Sequence, residues 1–110
     1  MIALKQAYLP KYDEKEDKVI YEPTKDKLPL SEKINFPITV HQIGNDFLVD
    51  PTREEDVTKS RVTIGFNDNI ISSMQKGKEG SLKVEEFEKV LDMGEKAWAT
   101  VFKKIEKHLK

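Results

Sequence analysis

Cysteine is absent from the 110-residue chain. Disulfide scaffolds, thiol nucleophiles and thiolate metal sites are thereby excluded. Histidine occurs only at positions 41 and 108, too far apart in sequence to read as a ligand pair. No apolar run approaches the ~20 residues that a membrane-spanning helix needs. Met1 to Pro10, interrupted by Lys5, is too short and too polar to read as a signal peptide. Nor is there an excess of charge of one sign: 19 Lys and Arg face 20 Asp and Glu, a formal net charge of −1. A generally basic nucleic-acid-binding domain is not indicated, although a local basic patch remains open. Arginine is confined to Arg53 and Arg61, while lysine and glutamate abound. Hyperthermophile proteins show this usage, and an AT-rich genome gives a similar bias. No GxGxxG, HExxH or CxxC motif and no nucleophile triad occurs.

What is present suffices for one domain with a single core. Ile2 to Leu9 has the composition of a helix that Pro10 stops. Nothing before Ile2 serves as a cap, so it reads as the end of a helix whose beginning is missing. Residues 11–22 read as a surface hairpin, with Tyr12 and Val19-Ile20-Tyr21 flanking the charged tip Asp13 to Lys18. The tip reads as a solvated turn. Pro23, Pro29 and Pro37 punctuate an extended stretch in which Leu28, Leu30, Ile34 and Phe36 are expected to pin the chain to the core edge.

Strands occupy 36–76. Ile38 to Ile43 alternates, with Ile38 and Val40 on one face and Thr39 and His41 on the other. Gly44-Asn45-Asp46 turns the chain and Phe47-Leu48-Val49 returns. His41 is expected at an edge or toward solvent. Asp50 is expected to cap the following turn with Pro51 at its first position. Glu54, Glu55 and Asp56 suit the positive end of a helical turn; an acidic cluster there could also hold a hard cation, but no glycine-containing calcium loop accompanies it. Arg61 to Asn67 and Ile70 to Gln75 form a second hairpin about Asn67-Asp68-Asn69. The loop Lys76-Gly77-Lys78-Glu79-Gly80 could approach a phosphate, yet lacks Walker spacing and reads more readily as a plain connector.

The long helix spans 82–109, capped by Ser81. Val84, Phe87, Leu91, Gly94, Trp98, Val101, Ile105 and Leu109 recur at steps of three or four. Glu85–Lys89 and Glu106–Lys110 are spaced as i,i+4 ion pairs. Gly94 in that stripe points to a close packing contact, since it costs about 1 kcal/mol against alanine. The whole is an α+β pattern: an antiparallel or mixed sheet with helices packed on it.

Thr39 to Thr52, followed by Glu54-Glu55, resembles the strand–turn–strand and Asp-Pro-Ser/Thr turn with paired glutamates of the RNase PH family. Asp50, Pro51, Thr52, Glu54 and Glu55 carry that signature. Arg61-Val62-Thr63-Ile64, Ile71 to Gln75, Lys76, Gly77, Gly80 and the last helix resemble the rest of the family's C-terminal domain. Ile2 to Pro10 resembles the end of its central helix. Within the family the chain is most similar to the non-catalytic ring subunits of the archaeal exosome. The resemblance implies an RNase PH C-terminal-domain-like fold truncated at its N-terminal side. It implies a place in a hexameric ring that alternates with catalytic RNase PH-like subunits, degrades RNA from the 3′ end by phosphorolysis and carries RNA-binding cap proteins.

Catalytic members bear an aspartate at the start of the strand after the acidic turn. Here Thr58 to Thr63 holds no carboxylate and carries Lys59 and Arg61 instead. The expectation is therefore a non-catalytic, cytoplasmic component, without metal, cofactor or membrane association. Lys59, Arg61, Lys76 and Lys78 are the candidates for RNA-phosphate contacts, against the alternative that they are solubilising surface charges. A piece of a catalytic phosphorolytic exoribonuclease and an unrelated α+β interaction module are the alternative functions. The resemblance also implies that the first domain, two strands and most of the central helix are missing, so that self-association or a complementing chain is expected.

Overall fold

In the computed structural model, residues 2–22 and 24–109 are described. Pro23 of the extended stretch and Lys110 of the expected Glu106–Lys110 pair lie outside them.

The first helix, α1 (Ile2–Gln6), is shorter than expected. Tyr8 forms an antiparallel bridge with Lys27, and the Leu9 N–H donates to the Asp26 carbonyl at 2.7 Å. The residue before a proline is disfavoured in the helical region, and the helix ends at Gln6, ahead of Leu9 and Pro10. Strands β1 (Lys11–Asp13) and β2 (Lys18–Ile20) pair antiparallel as the expected hairpin. Asp13 organises the tip: its Oδ1 accepts from the N–H groups of Lys15 at 2.9 Å and Glu16 at 3.3 Å. Beyond the hairpin, Ile34 is buried and Phe36 half-buried, but Leu30 is exposed. Leu30 lies on the arm formed with α1, away from the sheet, which is why it does not pin the chain to the core.

Strands β3 (Phe36–Ile43), β4 (Asp46–Val49), β5 (Ser60–Asn67) and β6 (Ile70–Gly77) form one antiparallel sheet in the order β4-β3-β5-β6. Both hairpins turn where left-handed backbone is required, at Gly44 with φ 62° and at Asp68 with φ 58°. The β3–β5 pairing aligns Val40 with Val62 and His41 with Arg61. Alternation puts Ile38, Val40, Val62, Ile64 and Phe66 on one face, all buried.

Helix α2 (Val84–Ile105) covers that face, followed by a 3₁₀ turn over Glu106–His108. It buries Val90, Gly94 and Trp98. The expected stripe is corrected in three places. Val84 is 72% exposed and Val101 38% exposed, whereas Val90, outside the stripe, is among the most buried side chains. The buried line runs Val90-Gly94-Trp98, so the contact face is rotated from the one that includes Val84 and Val101. Ser81 is not the cap: the N-cap residue is Lys83, whose N–H donates to Glu86 Oε2 at 2.7 Å. The other oxygen of Glu86 accepts from Gln42 Nε2 at 3.3 Å and ties the helix start to β3. Among the described residues Glu85 and Lys89 form no ion pair; the Lys89 ammonium lies 5.2 Å over the Phe47 ring instead.

Gly94 has the close contact expected of it. A β-carbon there would stand 2.9 Å from Phe66 Cε2 and 3.0 Å from Cζ. Trp98 stacks between Phe36, with centroids 5.3 Å apart, and Phe102, at 4.9 Å. The far edge strand β6 receives no such cover: Ile70, Ile71 and Met74 are all exposed.

Candidate nucleic-acid interface

The acidic turn between β4 and β5 is a 3₁₀ helix, Arg53–Val57. Asp50 sits in left-handed backbone with φ 53° and does not cap it; the residue at the cap is Thr52. The cap works in the reverse sense from the usual one. Glu54 Oε2 accepts from the Thr52 N–H at 3.1 Å and from its hydroxyl at 3.2 Å. Its own backbone N–H first, and then the Thr52 groups, hold the Glu54 carboxyl below the usual carboxylate range.

This turn folds over the face of the sheet opposite α2 and covers His41. The histidine is buried, not solvent-facing as expected, and its Nδ1 lies 3.1 Å from Thr58 Oγ1. Thr58 Oγ1 donates in turn to the Glu54 carbonyl at 3.4 Å. The buried imidazole thus has a polar partner, as burial requires.

Arg61 stands beside His41 in register on β5 and opposite Gly77 on β6. A β-carbon at Gly77 would stand 2.7 Å from Arg61 Nε, so the guanidinium stem lies across a position where a side chain would displace it. Gly80 closes the loop in the same manner. Its N–H donates to the Lys59 carbonyl at 3.0 Å, and a β-carbon there would meet that oxygen at 2.5 Å. Lys78 has φ 65°, and its carbonyl accepts from Lys76 Nζ at 3.0 Å. Both glycines of the 76–80 loop are therefore packing devices that seat it on the start of β5.

Of the four candidate phosphate ligands, Arg61 and Lys78 share one cleft of about 210 Å³, together with His41, Thr58, Glu55 and Asp56. Lys59 adjoins it through the Gly80 contact. Lys76 faces a separate groove with Met74, Lys83 and Phe87. The cleft therefore has mixed charge, two cations against two carboxylates. Among the described residues no group of three or more His, Asp or Glu side chains is placed to hold a metal ion. His41 and Thr58 were not among the sequence candidates. Their place depends on the β3–β5 register and on the fold of the 3₁₀ turn over the sheet, neither of which leaves a local signal.

A four-stranded antiparallel sheet backed by one long helix, with an Asp-Pro-Thr turn and paired glutamates between the second and third strands, defines an RNase PH-like α+β domain. Residues 36–97 match the 3′ exoribonuclease family, domain 2. The chain belongs to that family. It is 36% identical over 107 residues to the exosome complex component Rrp42 of Thermococcus onnurineus, covering 94% of this chain and 39% of the relative. The Rrp42 of Pyrococcus horikoshii is likewise 36% identical over 107 residues, at 94% and 36% coverage. The chain thus spans less than two fifths of the length of these relatives. Among solved structures, a chain of the Archaeoglobus fulgidus exosome with RNA bound to the active site superposes with a TM-score of 0.60, at 29% identity, over 67% of this chain and 30% of that one. A chain of an archaeal exosome core gives 0.61 at 28% identity, over 68% and 31%.

Proposed function

We propose that the chain serves as the C-terminal part of a non-catalytic RNase PH-like ring subunit of an archaeal exosome, and supports 3′-to-5′ phosphorolysis of RNA by a catalytic partner. The observation that carries this reading is the start of β5. Where catalytic members of the family carry an aspartate, Ser60 is buried in the sheet and Arg61 lies across Gly77. A strand that presents a guanidinium at this point can neutralise phosphate charge, but it has no carboxylate with which to move a proton. RNA-phosphate contact falls to Arg61 and Lys78 in the cleft, with Lys59 just before β5 and Lys76 in the separate groove beside Lys83. A catalytic RNase PH-like subunit, RNA-binding cap proteins and RNA are the partners, in the cytoplasm. The domain boundary is the whole of 1–110, a single unit.

Association with another chain is supported by the open β6 edge, whose backbone and apolar side chains lack cover. The Cα radius of gyration is 19.0 Å, against the ~13 Å of a compact domain this size. The N-terminal arm exposes Tyr8, Tyr12 and Tyr21.

One observation favours the catalytic alternative: Glu55 and Asp56 line the cleft that holds Arg61 and Lys78. Co-expression with a catalytic RNase PH-like subunit tests the main reading. Co-purification of the two, with RNA affinity weakened by Lys78→Glu and Arg61→Glu across a salt series, is expected. Failure to co-purify, or RNA affinity indifferent to both changes, would overturn it.

A further inference from the structure

A second cluster of cations lies at the opposite end of α2, and the phosphate candidates do not include it. The Tyr8–Lys27 bridge ties the segment after α1 to the chain that follows the hairpin, and the C-terminal residues His108 and Leu109 face the same cavity as Lys5 and Lys27. This cavity, of about 330 Å³, is lined by three basic side chains, Lys5, Lys27 and His108, and by the Gln6 amide. Its floor is apolar: Leu28, Leu30 and Leu109. Among the described residues no carboxylate lines it, in contrast to the cleft at Arg61. Among the described residues neither lysine nor the histidine forms an ion pair, and the nearest acids in sequence, Asp26 and Glu106, do not face the cavity. Lys5 is half-buried. Lys27 Nζ lies 5.8 Å from the centre of the Tyr8 ring, which is itself 54% exposed.

We infer that this cavity is a second binding site for single-stranded RNA, taking a backbone phosphodiester between Lys5, Lys27 and His108 and a base against Tyr8 or the leucine floor. Two converging lysines, with an imidazole beside them and no carboxylate among the described residues, favour a polyanion. An exposed aromatic ring beside them and an apolar floor add what a nucleotide offers and a simple anion lacks. The inference rests on the reading of the chain as part of an RNA-degrading assembly. The two patches lie at opposite ends of a 22-residue helix, roughly 30 Å apart at 1.5 Å per residue. One RNA strand that reaches both must pass around the sheet from the face opposite α2 to the C-terminal end of that helix, whereas a dinucleotide is too short to reach both.

Fluorescence anisotropy of the 110-residue chain with a labelled 12-nucleotide oligoadenylate, across a sodium chloride series, tests the site. Lys5→Glu with Lys27→Glu is expected to weaken binding roughly tenfold at low salt and to flatten the log–log salt slope by about 1.4, the share of two phosphate contacts on a single strand. Lys5→Arg with Lys27→Arg should retain binding. Lys15→Glu with Lys18→Glu, the same change in net charge at the hairpin tip, should weaken it much less. The single exposed variant Lys27→Gln, checked by circular dichroism, covers failure of the double variant to fold and should still weaken binding measurably. Wild-type affinity in the Lys5/Lys27 reversal, with loss in an Arg61/Lys78 reversal, would overturn the second site and leave the proposed function standing. Indifference to both reversals would overturn both. Equal loss from the hairpin-tip control, or displacement of the RNA by polyglutamate as effectively as by unlabelled RNA, would overturn the assignment to a nucleic-acid site.

Discussion

Replacing Gly94 with alanine sets two measurable effects against each other. In an open helix the change would stabilise by about 1 kcal/mol, the propensity difference between the two residues. In this structure the added carbon would stand 2.9 Å and 3.0 Å from two atoms of the Phe66 ring and 3.5 Å from Ile64 Cδ1. Favourable carbon–carbon contact begins near ~3.5 Å, so the ring must retreat by more than half an ångström. Phe66 is only 3% exposed and Ile64 is fully buried, which leaves the ring little room to move. Overpacking of this kind costs roughly 1–3 kcal/mol, and the net expectation is a loss of about 1 kcal/mol. Urea unfolding followed by Trp98 fluorescence reads it directly, with an unchanged slope and a lowered midpoint. The paired variant Phe66→Leu should recover part of the loss relative to its own glycine background, a coupling seen in a double-mutant cycle. If Gly94→Ala stabilised the protein by the full helix increment, the close approach of α2 to β5 would be wrong.

Further consequences follow from the core and the caps. Trp98→Ala removes the middle ring of the Phe36–Trp98–Phe102 stack and should cost ~3–5 kcal/mol in the same titration followed by far-UV circular dichroism; a loss below ~1 kcal/mol would mean that the indole is not core. Glu86→Ala removes both the helix cap and the partner of Gln42, and should cost about 1–2 kcal/mol by thermal melting. Glu54 contributes through its lowered pKa, which places its ionised form in the folded state below the unfolded value of 4.5. That stability is present above pH 4.5 and is lost as pH falls through the folded value. Glu54→Gln should flatten the acid limb of the stability–pH curve, and an unchanged limb would remove the Thr52–Glu54 contacts from the account.

Much of this fold is legible in the chain because its signals are local. The hairpin β3–β4 follows from alternation around Gly44, β5–β6 from alternation around Asn67-Asp68-Asn69, and α2 from its apolar spacing. What was not legible is set by tertiary contact. Val90 belongs to the core and Val84 does not, because the packing of α2 on the sheet, and not the helix's own periodicity, selects which line is buried. His41 is buried only because the 3₁₀ turn folds across β3, and an alternating strand cannot reveal cover on its polar face. Lys83 replaces Ser81 at the helix start because Glu86 can then reach both the backbone and Gln42. For the interface, the proximity of Arg61 and Lys78 follows from a hairpin register, but the carboxylates of Glu55 and Asp56 enter their cleft through a loop path that no spacing encodes. Lys5, Lys27 and His108 are the extreme case: three residues spread over the chain that meet only at one cavity, with no local signal in the sequence.

The central claim is that the chain assists RNA degradation without carrying the chemistry. Incubating the purified chain with inorganic phosphate and a 3′-hydroxyl RNA, and measuring nucleoside diphosphate, tests it most directly. With the chain alone no nucleoside diphosphate should form, while a catalytic RNase PH-like subunit co-purified with it should release the product. Sustained release by the chain alone, abolished by Asp56→Asn, would contradict the account and make the cleft at Arg61 an active site.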